Sequence, residues 1–353
     1  MVYVSARQTY LHDRVAAVSN RVAEVANGQE LEVLEHGRRF LKVKTEKNEI
    51  GWIEERAVID GRAHEAFAEL ASRHKMDPLV ANGTLRDDIY LHILPGRDAE
   101  HFYLLTANSK IEMLARASVP KTGISGMGAA VRQNAQGLQA PGKAPAAAKA
   151  TPAVGQPEAE AAPLEDWWLV RDSQGHTGWM LAGRLDVDVP DEIGTYAEGQ
   201  RIVGAYILKK VTDPEASTPN HEVPEYVTVL SPMKAGLPFD FDQVRVFTWS
   251  VKHHRYETAF RLHPIQGYLP VRTGFEQGPG GTQPVFSFQI SNGSAVASDP
   301  KTGISRPAFS RTISYMMIDT QLKRTGSDLG PIPITHSAET RANQGKPAKK
   351  KTR

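Results

Sequence analysis

The sequence contains no cysteine. This absence excludes disulfides, thiolate zinc sites and cysteine nucleophiles. The sequence also lacks an apolar run near the roughly 18–20 residues that a membrane-spanning helix needs. Its 42 basic and 40 acidic residues leave a net charge of only +2. We therefore expect no membrane span and no nucleic-acid partner.

Two motifs recur along the chain. Tyr10-Leu11-His12 returns 80 residues later as Tyr90-Leu91-His92, and Gly51-Trp52 returns 127 residues later as Gly178-Trp179. Between the motifs, each shift also aligns a run of apolar positions. The sequence therefore predicts two copies of one domain.

The second shift is longer than the first, and the extra residues lie within the segment 120–163, which is rich in alanine, proline and glycine. Such a composition buries too little apolar surface to offset the entropy of ordering the chain. The second copy is therefore expected to be one domain over residues 86–189, interrupted by a disordered insertion over 120–163.

Each copy carries the pattern of short strands. In the first copy, Asn27-Gly28 is a hairpin signal, and the residues on either side of His36-Gly37-Arg38 alternate between polar and apolar. The shift of 80 places Gly28 on Asn108, and these two residue types most readily adopt a positive φ in a turn. Several short strands with evenly spaced turns predict a small barrel or sandwich.

These residues resemble the bacterial SH3-like domains, which combine a turn glycine and an alternating strand with an aromatic-x-Val strand and a final Gly-Trp strand. The matching positions in the first copy are Gly28 with Leu31, Val33 and Leu34, then Phe40 to Val43, then Gly51-Trp52-Ile53. In the second copy they are Asn108 with Ile111, Met113 and Leu114, then Trp168 to Val170, then Gly178-Trp179-Met180. The Asn-x-Arg that family members often carry in the first strand is missing, so a ligand site built on that strand transfers less well.

The resemblance implies a mostly β chain with two tandem SH3-like β-barrels. We expect barrel 1 over residues 1–60 and barrel 2 over 86–189. A linker helix over 61–78 is expected between them, because apolar residues recur at three- and four-residue spacing from Arg62 to His74. Alternating segments further on predict a C-terminal antiparallel β-sandwich or barrel over 195–325, followed by a disordered basic tail over 326–353.

Two apparent catalytic or metal motifs have weak support. Ser298-Asp299-Pro300-Lys301 and Lys301-Thr302-Gly303 match motifs of penicillin-recognising enzymes, but they share Lys301, whereas the chemistry needs separately placed groups. His253 and His254 would point to opposite faces of a strand and so would not share one metal ion. We therefore expect no catalytic residue, no metal and no cofactor.

The aromatic residues remain as candidates. Trp52 and Trp179 are interpreted as barrel core, with a shallow aromatic groove as the alternative. Tyr10, Tyr90 and Trp167 are the predicted ligand-binding residues, because they start strands or lie beside the Asp166 loop.

The family resemblance implies a non-enzymatic binding or targeting protein that recognises a cell-wall peptide, a cell-wall glycan (peptidoglycan) or an envelope protein. The alternatives are a scaffold whose C-terminal domain docks a protein partner and an enzyme of unrecognised type in that domain. The compartment stays open: the cell envelope is favoured if a signal peptide precedes Met1, and the cytoplasm if Met1 is the true start.

Overall fold

The computed structural model describes residues 1–121, 163–293, 295–299 and 304–333. The expectation of a mostly β chain is confirmed, since antiparallel sheets make up most of the described residues. Most of the predicted insertion and of the predicted basic tail, and the residues 300–303, lie outside the described part of the chain.

The first seven strands form one antiparallel sheet, which we call unit 1. They are β1 (Val2–Val4), β2 (Gln8–His12), β3 (Arg21–Ala26), β4 (Glu30–His36), β5 (Phe40–Lys44), β6 (Ile50–Glu54) and β7 (Val58–Asp60). Their order in the sheet is β3-β2-β6-β5-β4-β1-β7. A short 3-10 turn (Glu55–Ala57) joins the last two strands.

The next seven strands form a second sheet, unit 2. They are β8 (Ala81–Leu85), β9 (Ile89–His92), β10 (His101–Leu105), β11 (Lys110–Pro120), β12 (Leu164–Asp172), β13 (Thr177–Leu181) and β14 (Leu185–Val187). Their order, β10-β9-β13-β12-β11-β8-β14, repeats that of unit 1 strand for strand. A 3-10 turn (Ala182–Arg184) again precedes the last strand.

The pairing registers of the two units also correspond. His12 pairs with Trp52 in unit 1, and His92 pairs with Trp179 in unit 2. The register shifts between Val33 and Glu35 in β4, and between the equivalent Met113 and Ala115 in β11. The histidines and the shifted positions of β4 and β11 are related by the sequence shift of 80, and the tryptophans by the shift of 127.

The sequence predicted barrels, but strand pairing in the described residues leaves every sheet open. In unit 1 the two outermost strands, β3 and β7, are each paired on one side only. β2 meets β6 through the single pair His12 and Trp52, so the sheet is only narrowly joined at this point. Strand pairing in unit 1 therefore does not complete a ring of hydrogen bonds.

A close approach explains the glycine of each Gly-Trp pair. A Cβ on Gly51 would lie 2.7 Å from the Cβ of Leu11, and a Cβ on Gly178 would lie 2.7 Å from the Cβ of Leu91. Real Cβ atoms do not approach this closely, so β2 and β9 can cross their partners only over a glycine. The turn positions also agree with their residue types, with φ of +85° at Gly28 and +66° at Asn108.

One long helix, α1 (Gly61–Arg73), lies between the two units. The Asp60 side chain accepts a hydrogen bond from the Ala63 amide at 2.8 Å and so caps the helix N-terminus. The buried face of α1 carries Ala63, Phe67 and Leu70. Leu70 belongs to the same buried cluster as Trp179, so the helix covers the outer face of unit 2.

The third region follows a short helix, α2 (Asp191–Gly194), and a 3-10 turn (Thr195–Ala197). One four-stranded sheet has β15 (Gln200–Thr212), β16 (Glu222–Pro232), β17 (Gln243–Ser250) and β18 (Arg255–Leu262), with a 3-10 turn at Pro219–His221. The other has β19 (Gly267–Gly278), β20 (Gly281–Ser291), β23 (Ser310–Ile318) and β24 (Gln321–Thr325). A separate ribbon pairs β21 (Val296–Ser298) with β22 (Ser305–Pro307).

Unit 2 and the third region share one hydrophobic core, which also includes Ile59 of β7, whereas the other buried apolar residues of unit 1 form a separate cluster. A buried ion-pair network joins unit 2 to the third region. Arg116 of β11 lies 3.0 Å from Asp166 and 3.3 Å from Asp240, and Arg201 of β15 lies 2.5 Å from Asp166. Because each buried charge has an opposite partner, this contact can be dry without leaving an unpaired ion.

Candidate functional site

A concave groove on unit 2 brings two of the three predicted ligand-binding residues together. Its cavity is about 450 Å³. We call it the unit-2 groove, and its lining residues are Asp88, Ile89, Tyr90, His92, Arg97, His101, Trp167, Leu181 and Arg184. Tyr90 and Trp167 therefore line one site, while Tyr10 lies on unit 1 and does not line it.

Strand register positions the groove residues. Tyr90 and His92 are two apart on β9, so their side chains emerge on the same face. His92 pairs with His101 across β9 and β10, and Trp167 of β12 pairs with Leu181 of β13. The β9–β10 pair and the β12–β13 pair thus direct these side chains into one concavity.

The rings form a continuous row. The centroids of Tyr90 and His101 are 4.8 Å apart, those of His101 and His92 are 5.4 Å apart, and those of His92 and Trp167 are 5.0 Å apart with an edge-on geometry. Such spacings are typical of favourable aromatic contacts. Trp167 itself is only 2% exposed, so it closes the inner end of the row. Tyr90 forms the other end, and His101 next to it is exposed.

A hydrogen-bonded carboxylate fixes the inner end of the groove. The Trp167 Nε1–H donates to Glu165 Oε1 at 3.3 Å, and the Arg97 Nε–H donates to Glu165 Oε2 at 2.9 Å. The Glu165 carboxylate is therefore neutralised by Arg97 while it orients the indole. This arrangement preorganises the wall against which a ligand would pack.

On the floor of the groove, the surroundings of His92 disfavour the charged form of its ring. Burial lowers the pKa of His92, and the nearby His101 lowers it further, against the opposing effect of the Ala99 carbonyl. The contact between His92 Nδ1 and the Ala99 carbonyl oxygen is 3.0 Å. Neutral His92 donates Nδ1–H to this carbonyl, so its Nε2 is left as an acceptor.

The equivalent position of unit 1 is differently built. The guanidinium of Arg21 lies over the Tyr10 ring, 4.0 Å from its centroid. Arg21 occupies the place that His101 has in unit 2, by the shift of 80. The stacked cation covers one face of Tyr10, which makes Tyr10 a weaker candidate for ligand contact than Tyr90.

The two tryptophans of the Gly-Trp motifs differ in burial. Trp179 is 1% exposed, but it packs in a cluster on the outer face of unit 2 with Leu70 and Leu169. Trp52 is only partly buried and lines a second cavity. The expected burial is therefore confirmed for Trp179, although it packs outside the sheet of unit 2 and not inside a barrel. The expectation is wrong for Trp52, because strand alternation gives the inward direction to Gly51 and Ile53.

A larger cavity of about 730 Å³ lies between the two units. There the Tyr103 ring stacks on His176 at 3.8 Å, and Asp172 Oδ2 lies 2.8 Å from His176 Nδ1. Sequence reasoning did not single out these three residues, because Tyr103 lies on β10 whereas Asp172 and His176 flank the turn that follows β12.

One asparagine joins the units beside this cavity. The Asn27 side chain donates to the Phe102 carbonyl at 2.8 Å and accepts from the Leu104 amide at 3.0 Å. It thereby satisfies the outer edge of β10 as a neighbouring strand would. Asn27 was predicted only as a turn residue, and the turn places it here.

The histidines of the third region do not converge. His253 and His254 lie in the turn between β17 and β18, not on a strand as expected. His253 pairs with Glu257 at 3.1 Å, and His254 pairs with Asp213 at 2.8 Å. Within the described ranges, no group of three or more histidine, aspartate or glutamate residues has the geometry to hold a metal ion.

The searches for similar proteins add little. No family model matches the sequence, and no curated protein matches it. Among solved structures, the chain is similar to NlpC2 from Trichomonas vaginalis at 9% identity, over 72% of this chain and 91% of that one. The TM-score is 0.16, and at this value the likeness carries no argument about fold or function. None of the helices in the described part is long and apolar enough to span a membrane.

Proposed function

We propose that this chain is a non-enzymatic binding protein in which units 1 and 2 are two SH3-like modules joined by α1. The matching strand order, the equivalent register shifts and the two crossing glycines support this interpretation. The sheets are open, in place of the closed barrels that the sequence led us to expect.

We further propose that the unit-2 groove recognises peptidoglycan. The observation that carries the proposal is the row of rings from Tyr90 to Trp167, because aromatic faces pack against the C–H faces of sugars and the apolar parts of peptides. Polar atoms at the edges, the Tyr90 hydroxyl and the His92 Nε2 among them, can orient the ligand. Small binding sites commonly combine a mostly apolar cavity with a few such groups.

Cosedimentation of the full chain with purified peptidoglycan tests the proposal. Because an aromatic ring at the centre of a contact carries much of its binding energy, Tyr90→Ala should weaken binding about tenfold. Tyr10→Ala is the matched control, since Tyr10 is the equivalent residue of unit 1 and does not line the unit-2 groove.

Two results would count against the proposal. If the wild-type chain sediments no more than a globular protein of equal charge, peptidoglycan is not the ligand. If both tyrosine variants bind as well as wild type, any peptidoglycan site lies away from the unit-2 groove.

A further inference from the structure

Unit 1 has a groove of different chemistry from the unit-2 groove. A cavity of about 610 Å³ lies beside β5 and β6. We call it the unit-1 groove, and its lining residues are Arg14, Val15, Gly37, Arg38, Arg39, Phe40 and Trp52. Where unit 2 presents histidines, this groove presents three arginines.

The aromatic wall is available for contact. Trp52 points to the outer face of unit 1, where neither α1 nor the third region covers it as α1 covers Trp179. A Cβ on Gly37 would lie 3.3 Å from the Trp52 ring, so the glycine lets the turn pass close to the indole. Val15 beside it is 50% exposed. Lys42 Nζ lies over the Trp52 ring, 6.0 Å from its centroid. The groove therefore offers the edge of the indole with an apolar flank at Val15, and not an open ring face.

The cationic wall lacks internal partners. In the part of the chain that the structure describes, the side chains of Arg38 and Arg39 make no ion pair or hydrogen bond, and Arg14 has only Asp13 at 3.7 Å. Guanidinium groups form paired hydrogen bonds with carboxylates. The positive charges of this wall therefore favour an acidic ligand.

The neighbouring cavity decides which kind of acidic ligand fits. A second cavity of about 590 Å³ shares Arg39 and Phe40 with the unit-1 groove, but its other lining residues are Glu54, Glu55 and Arg56. Glu54 is paired with Arg56 there. A uniformly anionic polymer that continued past Phe40 would therefore meet the Glu55 carboxylate, which has no ion-pair partner among the described residues. A peptide can place carboxylates at Arg38 and Arg39 and a neutral or basic residue beyond.

We propose that the unit-1 groove binds a short acidic segment of a partner protein. Carboxylates of the segment pair with Arg38 and Arg39, and an apolar side chain packs on Trp52. The site is separate from the unit-2 groove, so the protein has two sites with different ligand chemistry.

Fluorescence anisotropy with labelled eight-residue peptides and the full chain tests this inference. One peptide carries two adjacent glutamates, a leucine and then a lysine, and a second replaces both glutamates by glutamine. The acidic peptide should bind, and the glutamine peptide should bind about tenfold more weakly. Added salt should weaken the binding of the acidic peptide, because the paired charges are exposed to solvent.

The variant Arg38→Ala/Arg39→Ala should lose about tenfold in affinity for the acidic peptide. Both residues lie in an exposed turn, so the variant should fold normally. The charge-matched control Arg62→Ala/Arg73→Ala removes two exposed arginines of α1 and should bind like wild type. Tyr90→Ala should also bind like wild type, which separates this inference from the proposed peptidoglycan site.

Three outcomes would overturn the inference. Equal binding of the two peptides would remove the role of the arginines, and so would equal affinity of Arg38→Ala/Arg39→Ala and its control. Displacement of the peptide by polygalacturonate at a lower concentration of carboxylate would assign the groove to an anionic glycan instead of a peptide.

Discussion

Units 1 and 2 have the same strand order but different surroundings. Leu34 in unit 1 is 45% exposed, whereas its equivalent Leu114 is 5% exposed. His36 at the end of β4 is exposed, whereas its equivalent Arg116 is buried between two aspartates. In unit 2 the hairpin of β11 and β12 continues to the pair of Pro120 with Leu164, well beyond the corresponding end in unit 1.

The comparison separates two kinds of constraint. The backbone crossing fixes the glycine of each Gly-Trp pair, because β2 or β9 needs the space in both units. The burial of the following tryptophan depends on whatever packs outside the sheet, which is α1 in unit 2. Equivalent positions therefore share a backbone role, while burial and ligand chemistry vary.

The largest expected effect tests this difference in burial. Trp179→Ala should lower the free energy of unfolding by about 3–5 kcal/mol, because it leaves a cavity in a packed cluster. Trp52→Ala should cost about 1 kcal/mol, since less of its surface is removed from water. Urea denaturation followed by far-ultraviolet circular dichroism measures both. Equal losses for the two variants would mean that α1 does not cover unit 2 as described.

A second pair of substitutions should affect the two units alike. Gly51→Ala and Gly178→Ala each add a methyl group 2.7 Å from a leucine Cβ, so each should cost about 1–3 kcal/mol through forced backbone movement. Gly183→Ala is the control, because no atom lies within 4 Å of its added Cβ. Thermal melts of all three variants measure the effect. If Gly183→Ala were the most destabilised variant, the need for a glycine where β2 and β9 cross their partner strands would be contradicted.

Much of the fold could be predicted from residue pattern. Alternation and turn residues gave most strands of units 1 and 2, and the shifts of 80 and 127 correctly aligned positions that occupy equivalent pairs. In the third region, the alternating segments matched six strands and missed four, which are β19, β21, β22 and β24. β19 begins Gly267-Tyr268-Leu269-Pro270, where a proline interrupts the usual strand pattern.

The candidate site could be predicted less completely. Tyr90 and Trp167 were predicted, and the structure places them in one groove. His101 was missed as a groove residue, although a signal existed: it lies across the hairpin from His92. The inward direction of Trp52 was wrong because the aromatic side chain, rather than the alternation of its strand, was taken to decide which face is buried. What covers the outer face depends on long-range packing, which no local pattern contains.

The smallest expected effect concerns the pH dependence of unit 2. Burial lowers the pKa of His92 below that of a free histidine. As pH falls below about 6.5, the unfolded chain binds a proton at this residue before the folded chain does. Stability contributed by neutral His92 is therefore present above that pH and is lost as pH falls through the folded pKa.

Urea midpoints at pH 7.5 and pH 5 should show a larger loss of stability on acidification for wild type than for His92→Gln. His12→Gln, at the equivalent position of unit 1, controls for removal of an imidazole. If wild type and His92→Gln lost the same stability on acidification, the groove floor would not hold a neutral histidine.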